Sequence, residues 1–311
     1  MRILITGGLG FIGSHLCEAL ALASHELVIV DDLSTGKKEH APAGAEVIID
    51  DVARAGAFDE VVQGIDACFH LAAIASVELS RTHWLRTHEV NSGALVNLMA
   101  AISKTKRPVP VVFASSAAVY GNNAQLPLKE ITSPAPISSY GVDKLSCEHN
   151  GQIAAHAHGI PNIGLRFFNV YGPRQDPSSP YSGVISIFSH AVLHRTPVTI
   201  YGDGEQSRDF IYVKDVVQAL LASLQQLQNG NIRYDVFNIC TGKSISVKTL
   251  AATLGTLSGH TPDIRHVPAR NGDIRHSTGD PAYTKQGLGF TAGTPLADGL
   301  HSTLNWLKTQ L

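Results

Sequence analysis

The feature that most restricts the fold of this chain is a glycine-rich turn directly after its first apolar segment. Ile3–Ile5 is a short β-rich run, glycines follow at positions 7, 10 and 13, and a helical pattern continues to Ala23. Glycines permit a tight turn and let the backbone approach a pyrophosphate, whose negative charge is favoured at a helix N-terminus. The pattern therefore predicts a dinucleotide-binding strand–turn–helix unit at the start of the chain.

Short apolar runs alternate with helical patterns through the first half of the chain. The runs are Ile3–Ile5, Glu26–Val30, Val47–Ile49, Ala67–Leu71, Val109–Ala114 and Ile163–Phe167. Continuous apolar strands separated by helices are typical of a parallel sheet covered on both faces. We therefore expect an α/β fold, in which a doubly wound parallel Rossmann-type sheet carries a smaller α/β substrate domain at its C-terminal side.

The alternation of strands and helices loosens in the second half of the chain. A polar loop comes first, less regular sequence follows, and a final amphipathic helix carries Leu300, Leu304 and Leu307 on one stripe. This change predicts a nucleotide-binding domain followed by a smaller domain. The expected ranges are 1–170, rejoined by part of 208–242, and 171–311.

Charge and cysteine usage exclude several classes of protein. The 311 residues include 24 Lys and Arg against 26 Asp and Glu, so no basic excess is available to neutralise nucleic acid. The four cysteines are scattered, without C-x-x-C pairs, and no metal site is predicted. Because no run of about 18 apolar residues occurs and the amino terminus lacks the pattern of a signal peptide, we expect a soluble, cytoplasmic protein with no membrane partner.

Acidic residues at the ends of the second and third predicted strands extend the nucleotide site. Asp31 lies 24 residues past Gly7, near the offset at which an acid accepts a hydrogen bond from a ribose 2′-hydroxyl. Its carboxylate would repel a 2′-phosphate, so NAD is expected rather than NADP, with two nearby lysines as the only opposing feature. Asp50, Asp51 and Val52 end the third strand, from where a side chain can reach the adenine edge.

Three polar residues form the predicted catalytic group. Tyr140 and Lys144 are four residues apart in a predicted helix and therefore share one face. A tyrosine is a poor base at neutral pH unless positive charge stabilises its phenolate, as a nearby ammonium and an oxidised nicotinamide would. Ser116 ends an apolar strand, where open α/β sheets bind ligands. The competing interpretation is a helix-surface pair and a serine that merely caps the strand.

A set of motifs extends over almost the whole chain. It comprises Thr6-Gly7-x-x-Gly10-x-x-Gly13, His70-Leu71-Ala72-Ala73, Ser116, Tyr140, Lys144, and the segments Arg166–Arg174 and Arg208–Asp215. Together these motifs resemble the extended short-chain dehydrogenase/reductase family, and the two later segments resemble its nucleotide-sugar enzymes. The resemblance implies a tightly held NAD that is used and regenerated within one turnover, and a homodimer. The cofactor-binding residues that follow are Gly7, Gly10, Phe11, Ile12, Gly13, Asp31, Asp32, Asp51, Val52, Leu71, Ala72, Ala73, Tyr140 and Lys144.

The residues after Ser116 discriminate between reactions of this family. Its 4,6-dehydratases carry Asp-Glu there and its decarboxylases typically keep a glutamate at the second position, whereas this chain has Ala117 and Ala118, which cannot transfer a proton. The resemblance therefore implies a 4-epimerase that works through a transient 4-keto sugar. Tyr140 would take the 4-hydroxyl proton, Ser116 would hydrogen-bond the same oxygen, and Lys144 would hold the nicotinamide ribose.

The resemblance to UDP-galactose 4-epimerases also implies a substrate site. Arg208 and Asn169 match ligands of the diphosphate, and the planar guanidinium of Arg208 suits phosphate oxygens. Ser277 matches a position that is large in epimerases restricted to glucose and galactose but small in those that accept N-acetylated sugars. Tyr201, two residues after Thr199, matches an aromatic residue beside the uracil. Arg270 matches a phosphate contact and Asp273 a ribose contact. Ser76 resembles the subgroup that acts on N-acetylated sugars. The full predicted set is Ser76, Asn169, Thr199, Tyr201, Arg208, Arg270, Asp273 and Ser277.

UDP-GlcNAc/UDP-GalNAc interconversion is the leading interpretation, and two alternatives stay open. The first is a UDP-glucose/UDP-galactose or UDP-glucuronate 4-epimerase, which shares the mechanism and differs in the sugar pocket. The second is a catalytically silent NAD-binding scaffold or redox sensor. The intact Ser116, Tyr140 and Lys144 argue against a silent protein, since NAD binding alone does not require all three. A reductase with exchangeable NADPH is disfavoured by Asp31.

Overall fold

The computed structural model describes residues 1–177, 183–269 and 274–310. A turn of π-helix over Glu89–Gly93 and a 3₁₀ turn over Ala117–Tyr120 supplement the regular elements. In chain order those elements are β1 (Arg2–Thr6), α1 (Phe11–Leu22), β2 (Glu26–Asp31), β3 (Glu46–Ile49), β4 (Ala67–His70), α2 (Val77–Thr82), α3 (Trp84–His88), α4 (Ala94–Ser103), β5 (Val111–Ser116), α5 (Ser139–Ala157), β6 (Asn162–Phe167), β7 (Asn169–Tyr171), α6 (Val184–Leu193), β8 (Val198–Tyr201), β9 (Ser207–Tyr212), α7 (Val213–Gln228), β10 (Tyr234–Ile239), β11 (Ser244–Ser246), α8 (Val247–Ser258), β12 (Ile264–Val267), β13 (His276–Ser277), α9 (Ala282–Leu288) and α10 (Leu296–Lys308).

A seven-stranded sheet in the order β10-β6-β5-β4-β1-β2-β3 forms the centre of the molecule. All of its strand pairs are parallel. The chain runs outward from β1 through β2 to β3, then returns to the other side of β1 and continues through β4, β5 and β6. The predicted doubly wound Rossmann-type fold is therefore confirmed. The direction changes between β1 and β4, which is the point where such sheets bind ligands.

The two faces of this sheet carry separate hydrophobic clusters. Ile3 and Ile5 of β1 pack into the cluster that includes α1 and α7, while Leu4 packs into the cluster on the other face with α4 and α5. Successive residues of a strand point to opposite faces, so a strand buried on both sides must be apolar throughout. This requirement explains why β1 and its neighbours are continuous apolar runs in the sequence.

Smaller sheets follow in the second half of the chain. Strand β9 pairs with β7, β11 and β13, and β8 pairs with β12. A third hydrophobic cluster lies beneath them and includes residues of α6, α8 and α10. Strand β10 nevertheless belongs to the large sheet, so the chain returns to that sheet after forming β8 and β9. The exact division of the chain into two domains stays a prediction.

All four cysteines are free and buried. Within the described ranges, no helix combines the length and the apolar character needed to cross a bilayer.

A buried ion pair joins α5 to two central strands of the large sheet. Arg166 on β6 donates from Nε and a terminal nitrogen to the carboxylate of Glu148 on α5, over 2.8 and 2.7 Å. Ser115 on β5 donates to the same carboxylate over 2.5 Å, and Arg166 also donates to the hydroxyl of Tyr120. Burial alone would lower the pKa of Arg166, but the Glu148 carboxylate outweighs it and raises the pKa. The shared Glu148 carboxylate therefore fixes α5 against β5 and β6.

Substitution of Glu148 tests how much the fold depends on this pair. Glu148→Gln should lower the free energy of unfolding by about 3–5 kcal/mol, because it leaves the buried Arg166 charge without its counter-ion. Urea unfolding followed by circular dichroism measures this loss. Asp203→Asn, which breaks the exposed pair with Arg275, should leave the unfolding curve almost unchanged. Equal small losses in the two variants would show that the buried pair is not a major support of the fold.

Candidate active site

A cleft of about 730 Å³ lies at the carboxyl ends of the central strands, above the change of direction between β1 and β4. The glycine turn, the ends of β2 and β5, and the start of α5 form its walls. The predicted residues that line the cleft are Gly7, Gly10, Phe11, Ile12, Gly13, Asp31, Asp32, Val52, Leu71, Ala72, Ala73, Ser116, Tyr140, Lys144 and Asn169.

The glycine turn has no room for side chains at two of its positions. A Cβ atom at Gly13 would lie 2.1 Å from the carbonyl oxygen of Gly7, and one at Gly7 would lie 2.7 Å from the amide of Ala72. Gly7 also has a φ of +67°, which favours glycine. Gly10 directly precedes α1 and has no side chain to cap it, so the N-terminus of α1 opens toward the cleft. This cradle fits a pyrophosphate.

Asp31 ends β2 beside the glycine turn. One carboxylate oxygen accepts a hydrogen bond from the amide of Leu9 and the other from the amide of Leu33, both over 2.9 Å. The carboxylate therefore holds the turn against the end of β2. Because a carboxylate has about four acceptor positions, it can still accept a hydrogen bond from a ribose hydroxyl. The position fits the predicted ribose contact.

The segment after β4 is tied to the glycine turn through a threonine and a histidine. The hydroxyl of Thr6 lies 2.8 Å from Nδ1 of His70 and accepts a hydrogen bond from the amide of Ala72 over 3.2 Å. Burial, with a smaller contribution from the charge of Lys144, lowers the pKa of His70 to about 3. The imidazole is therefore neutral at physiological pH and positions the 71–73 segment rather than exchanging protons.

The structure brings the three predicted catalytic residues into the same cleft. Ser116 is the last residue of β5, and its hydroxyl accepts a hydrogen bond from the amide of Ala118 over 3.1 Å. Tyr140 lies in the first turn of α5. Lys144 is buried one turn later, where its ammonium donates to the carbonyl of Ala114 over 3.0 Å and lies 5.8 Å from the centre of the Tyr140 ring. The lysine keeps two further N–H donors for a ligand.

The first turn of α5 is set by a local capping interaction. The side chain of Ser138 accepts a hydrogen bond from the amide of Gly141 over 3.1 Å. Serine is a preferred residue at this position because it satisfies a backbone donor that the helix leaves unpaired. Two interactions therefore fix the position of the helix that carries Tyr140. The Ser138 cap holds its first turn, and the ion pair between Glu148 and Arg166 holds it further along.

Three residues of the predicted substrate site meet around β9. Arg208 lies on β9, and Ser277 on β13 is its direct partner in the register. Asn169 on β7 is paired with Phe210 two positions further along β9 and faces the cleft. Arg208 donates to the backbone carbonyl of Ser207. The small sheet therefore places Ser277 directly beside Arg208 and Asn169 two positions further along, but only Asn169 of the three belongs to the cleft lining found for the described residues.

The other predicted substrate residues are more dispersed. Thr199 and Tyr201 lie on β8 with exposed side chains. Ser76 is buried, and its hydroxyl caps α2 by accepting a hydrogen bond from the amide three residues later, over 3.0 Å. Arg270 and Asp273 lie outside the described residues. The hydroxyl of Ser76 thus has a structural partner that the sequence did not indicate.

Several cleft residues were missed by the sequence analysis. Arg86 lines the end of the cleft near β3, beside Asp50, and Gln175 lines the cleft near β7. Asp51, in contrast, lies outside the lining of the described cleft and binds Arg86 across 2.8 Å. Asp50 directly precedes Asp51 and belongs to the strand end for which the sequence predicts a contact with the adenine edge. Arg86 carries no local pattern, since only the packing of α3 brings it to the cleft.

A glycine turn at the switch point of a doubly wound sheet, with serine, tyrosine and lysine in the same cleft, defines a Rossmann-type enzyme that uses a dinucleotide. The sequence profile of the NAD dependent epimerase/dehydratase family matches residues 3–240. The chain therefore belongs to the NAD-dependent epimerase/dehydratase family, which confirms the resemblance inferred from its motifs, and NAD is its cofactor.

Individual relatives resemble the chain over nearly its full length. A UDP-glucose 4-epimerase of Azospirillum brasilense is 33% identical over 99% of this chain and 92% of its own. The structure of a UDP-N-acetylglucosamine 4-epimerase from Methanobrevibacter ruminantium, in complex with UDP-N-acetylmuramic acid, is 36% identical, with a TM-score of 0.94 and coverage of 100% and 99%. That of a UDP-glucose 4-epimerase from Thermotoga maritima, with UDP-glucose, is 34% identical, with a TM-score of 0.95 and the same coverage.

Proposed function

We propose that this protein interconverts UDP-GlcNAc and UDP-GalNAc by inverting the configuration at C4 of the sugar. In this proposal it is an NAD-dependent UDP-sugar 4-epimerase. The reaction type rests on one observation: Ser116, Tyr140 and Lys144 share a cleft, and the two residues directly after Ser116 are alanines, Ala117 and Ala118. The two alanines supply no group for the proton transfers of a dehydratase, whereas the three polar side chains suffice for a reversible oxidation at one carbon.

The cradle at the glycine turn, together with Asp31 and Lys144, would hold the cofactor. When bound there, NAD⁺ supplies a site that accepts a hydride from C4 and returns it to the opposite face. The residues of the chain have the remaining tasks: to hold the dinucleotide, to orient the sugar and to move one proton.

Tyr140 is the group that moves the proton. As the phenolate, Tyr140 takes the proton from the 4-hydroxyl while the sugar is oxidised, and the resulting phenol gives it back while the sugar is reduced. The buried ammonium of Lys144 lies 5.8 Å from the centre of the Tyr140 ring, so the two groups face the same part of the cleft. Ser116 orients the 4-oxygen by hydrogen bonding. Because the same tyrosine serves both halves of the reaction, no second acid or base is needed.

Firm binding of the diphosphate and loose binding of the sugar follow from the stereochemistry. The 4-keto sugar must present both faces in turn, so its ring has to rotate while the nucleotide stays in place. Arg208 and Asn169 on the small sheet are suited to this anchoring, since a guanidinium and an amide both donate to phosphate oxygens. The apolar segment Leu71–Ala73 on the cleft wall offers the sugar few polar contacts that would resist the rotation.

The preference for N-acetylated sugars rests on Ser277. Its side chain is small, and its strand position directly neighbours Arg208, so a sugar attached to an anchored diphosphate passes close to it. A serine leaves space for an acetamido group, which a tyrosine would occupy. The likeness to the UDP-N-acetylglucosamine 4-epimerase of Methanobrevibacter ruminantium also supports this choice.

A UDP-glucose 4-epimerase is the second candidate. It is favoured by the comparably close likeness to the UDP-glucose 4-epimerases of Azospirillum brasilense and Thermotoga maritima. The residues that move the proton are the same in both candidates, so only the sugar pocket separates them.

The protein is further proposed to be a cytoplasmic homodimer that supplies sugar donors for cell-surface polysaccharide. Four free thiols suit a reducing compartment. Helices α4 and α5 expose apolar side chains at Val96, Val142 and Ile153, which a second copy could cover. The mass in solution, measured by light scattering, distinguishes the dimer from the 33.1 kDa monomer.

A panel of UDP-sugars tests the proposed reaction. The purified protein should convert UDP-GlcNAc to UDP-GalNAc and back, with products identified by nuclear magnetic resonance. Turnover of UDP-glucose alone would favour the second candidate, and turnover of UDP-glucuronate alone would place the protein with the glucuronate epimerases. Absence of turnover on every UDP-hexose would refute the epimerase proposal.

Removal of the phenol hydroxyl tests the role of Tyr140. Tyr140→Phe should lower kcat by about 10²–10⁴-fold, the usual range for a lost general acid–base group, while the affinity for UDP-sugar changes little. Tyr283→Phe is the matched control, because Tyr283 is partly exposed and hydrogen-bonds Asp235, away from the cleft; its kcat should be unchanged. A Tyr140→Phe enzyme with wild-type kcat would show that another group moves the proton.

Enlargement of Ser277 tests the sugar selection. Ser277→Tyr should abolish turnover of UDP-GlcNAc and UDP-GalNAc but retain turnover of UDP-glucose, and Ser277→Ala should retain all three. The ratio of kcat/KM for acetylated and non-acetylated sugars is the readout, because overpacking at this buried position would lower both activities together. An unchanged ratio in Ser277→Tyr would contradict the proposed selection.

A further inference from the structure

An arginine crosses from α3 to the loop after β3 at one end of the cleft. Arg86 lines the cleft, and its side chain is 40% exposed. One terminal nitrogen lies 2.8 Å from a carboxylate oxygen of Asp51, and the other lies 3.9 Å from the carboxylate of Glu89. The side chain thus bridges two segments that lie far apart in the sequence.

The partner of Arg86 is held as an anion. Burial would raise the pKa of Asp51, but hydrogen bonds from Arg86 and from the amide of Ala53 outweigh it, so the pKa lies below its usual value. The contact is therefore a charge-assisted hydrogen bond, which is stronger than one between neutral groups. Both carboxylate oxygens already have a donor, which fixes the orientation of the Asp51 side chain.

This end of the cleft is the place for the adenine of a dinucleotide. The pyrophosphate cradle lies at the end of β1 and the candidate ribose ligand Asp31 ends β2, so the base must extend toward β3. Val52 and Val90 contribute apolar surface there. A guanidinium can stack on an aromatic ring as well as pair with a carboxylate. Arg86 has the chemistry and the position to cover the base.

We propose that Arg86 is a cofactor-binding residue, which closes the adenine end of the cleft through its bridge to Asp51 and slows the dissociation of NAD. The inference rests on the proposal that NAD binds in this cleft. Slow dissociation of NAD suits an epimerase, because the cofactor must remain bound while the oxidised sugar rotates and is reduced again.

Exchange of bound cofactor measures the effect directly. Purified protein carrying NAD is mixed with an excess of isotope-labelled NAD, and the rate at which label appears on the protein is followed. Arg86→Ala should exchange about tenfold faster than the wild type, which corresponds to about 1.4 kcal/mol. Arg86→Lys should exchange at an intermediate rate, because it retains the charge but loses the planar fork.

Arg54 provides the matched control. It pairs with Asp50 in the same loop, but its own side chain lies outside the cleft lining found for the described residues. Arg54→Ala should therefore exchange NAD at the wild-type rate. Equal rates in wild type and Arg86→Ala, or equal acceleration in Arg54→Ala, would overturn the role of Arg86. A wild-type protein that neither carries nor takes up NAD would instead overturn the assignment of the cleft.

Discussion

The ion pair between Arg166 and Glu148 is the constraint on which the geometry of the cleft depends. It lies in the interior, where an unpaired charge is costly, so the two side chains can only be accommodated together. Its carboxylate also accepts from Ser115, the neighbour of Ser116. The strand that ends in the serine and the helix that carries Tyr140 and Lys144 are thus joined by the same buried group. The distances between Ser116, Tyr140 and Lys144 are therefore set by this buried ion pair rather than by contacts at the cleft surface.

The cofactor side and the substrate side of the cleft are built on different principles. On the large parallel sheet, the glycine turn and the N-terminus of α1 present backbone groups to NAD, which is the same molecule in every turnover. In the proposed substrate site, the small sheet around β9 would present side chains, among them Arg208 and Asn169, to the UDP-sugar. A rigid backbone cradle suits permanent occupancy, whereas side chains on short strands allow the pocket to vary between relatives that act on different sugars.

The sequence predicted the features that depend on local patterns. The strands and the helices of the large sheet follow from apolar runs and glycines, and the Tyr140–Lys144 spacing follows from one helix. Features that depend on distant partners were not predictable in this way. The capping role of Ser76 depends on where α2 begins. The partnership of Asp51 with Arg86 requires the packing of α3 against the loop after β3, which no spacing in the sequence encodes.

The pairing of Ser277 with Arg208 links two properties that are often treated separately. Under the proposed function, Ser277 would choose among sugars and Arg208 would hold the nucleotide, and the two residues are direct neighbours across two strands. A bulkier residue that reshapes the sugar pocket would also push on the strand that carries the guanidinium. A change of sugar specificity in this fold would therefore also alter the affinity for the UDP portion that all these substrates share. Compensating substitutions would be expected along β9.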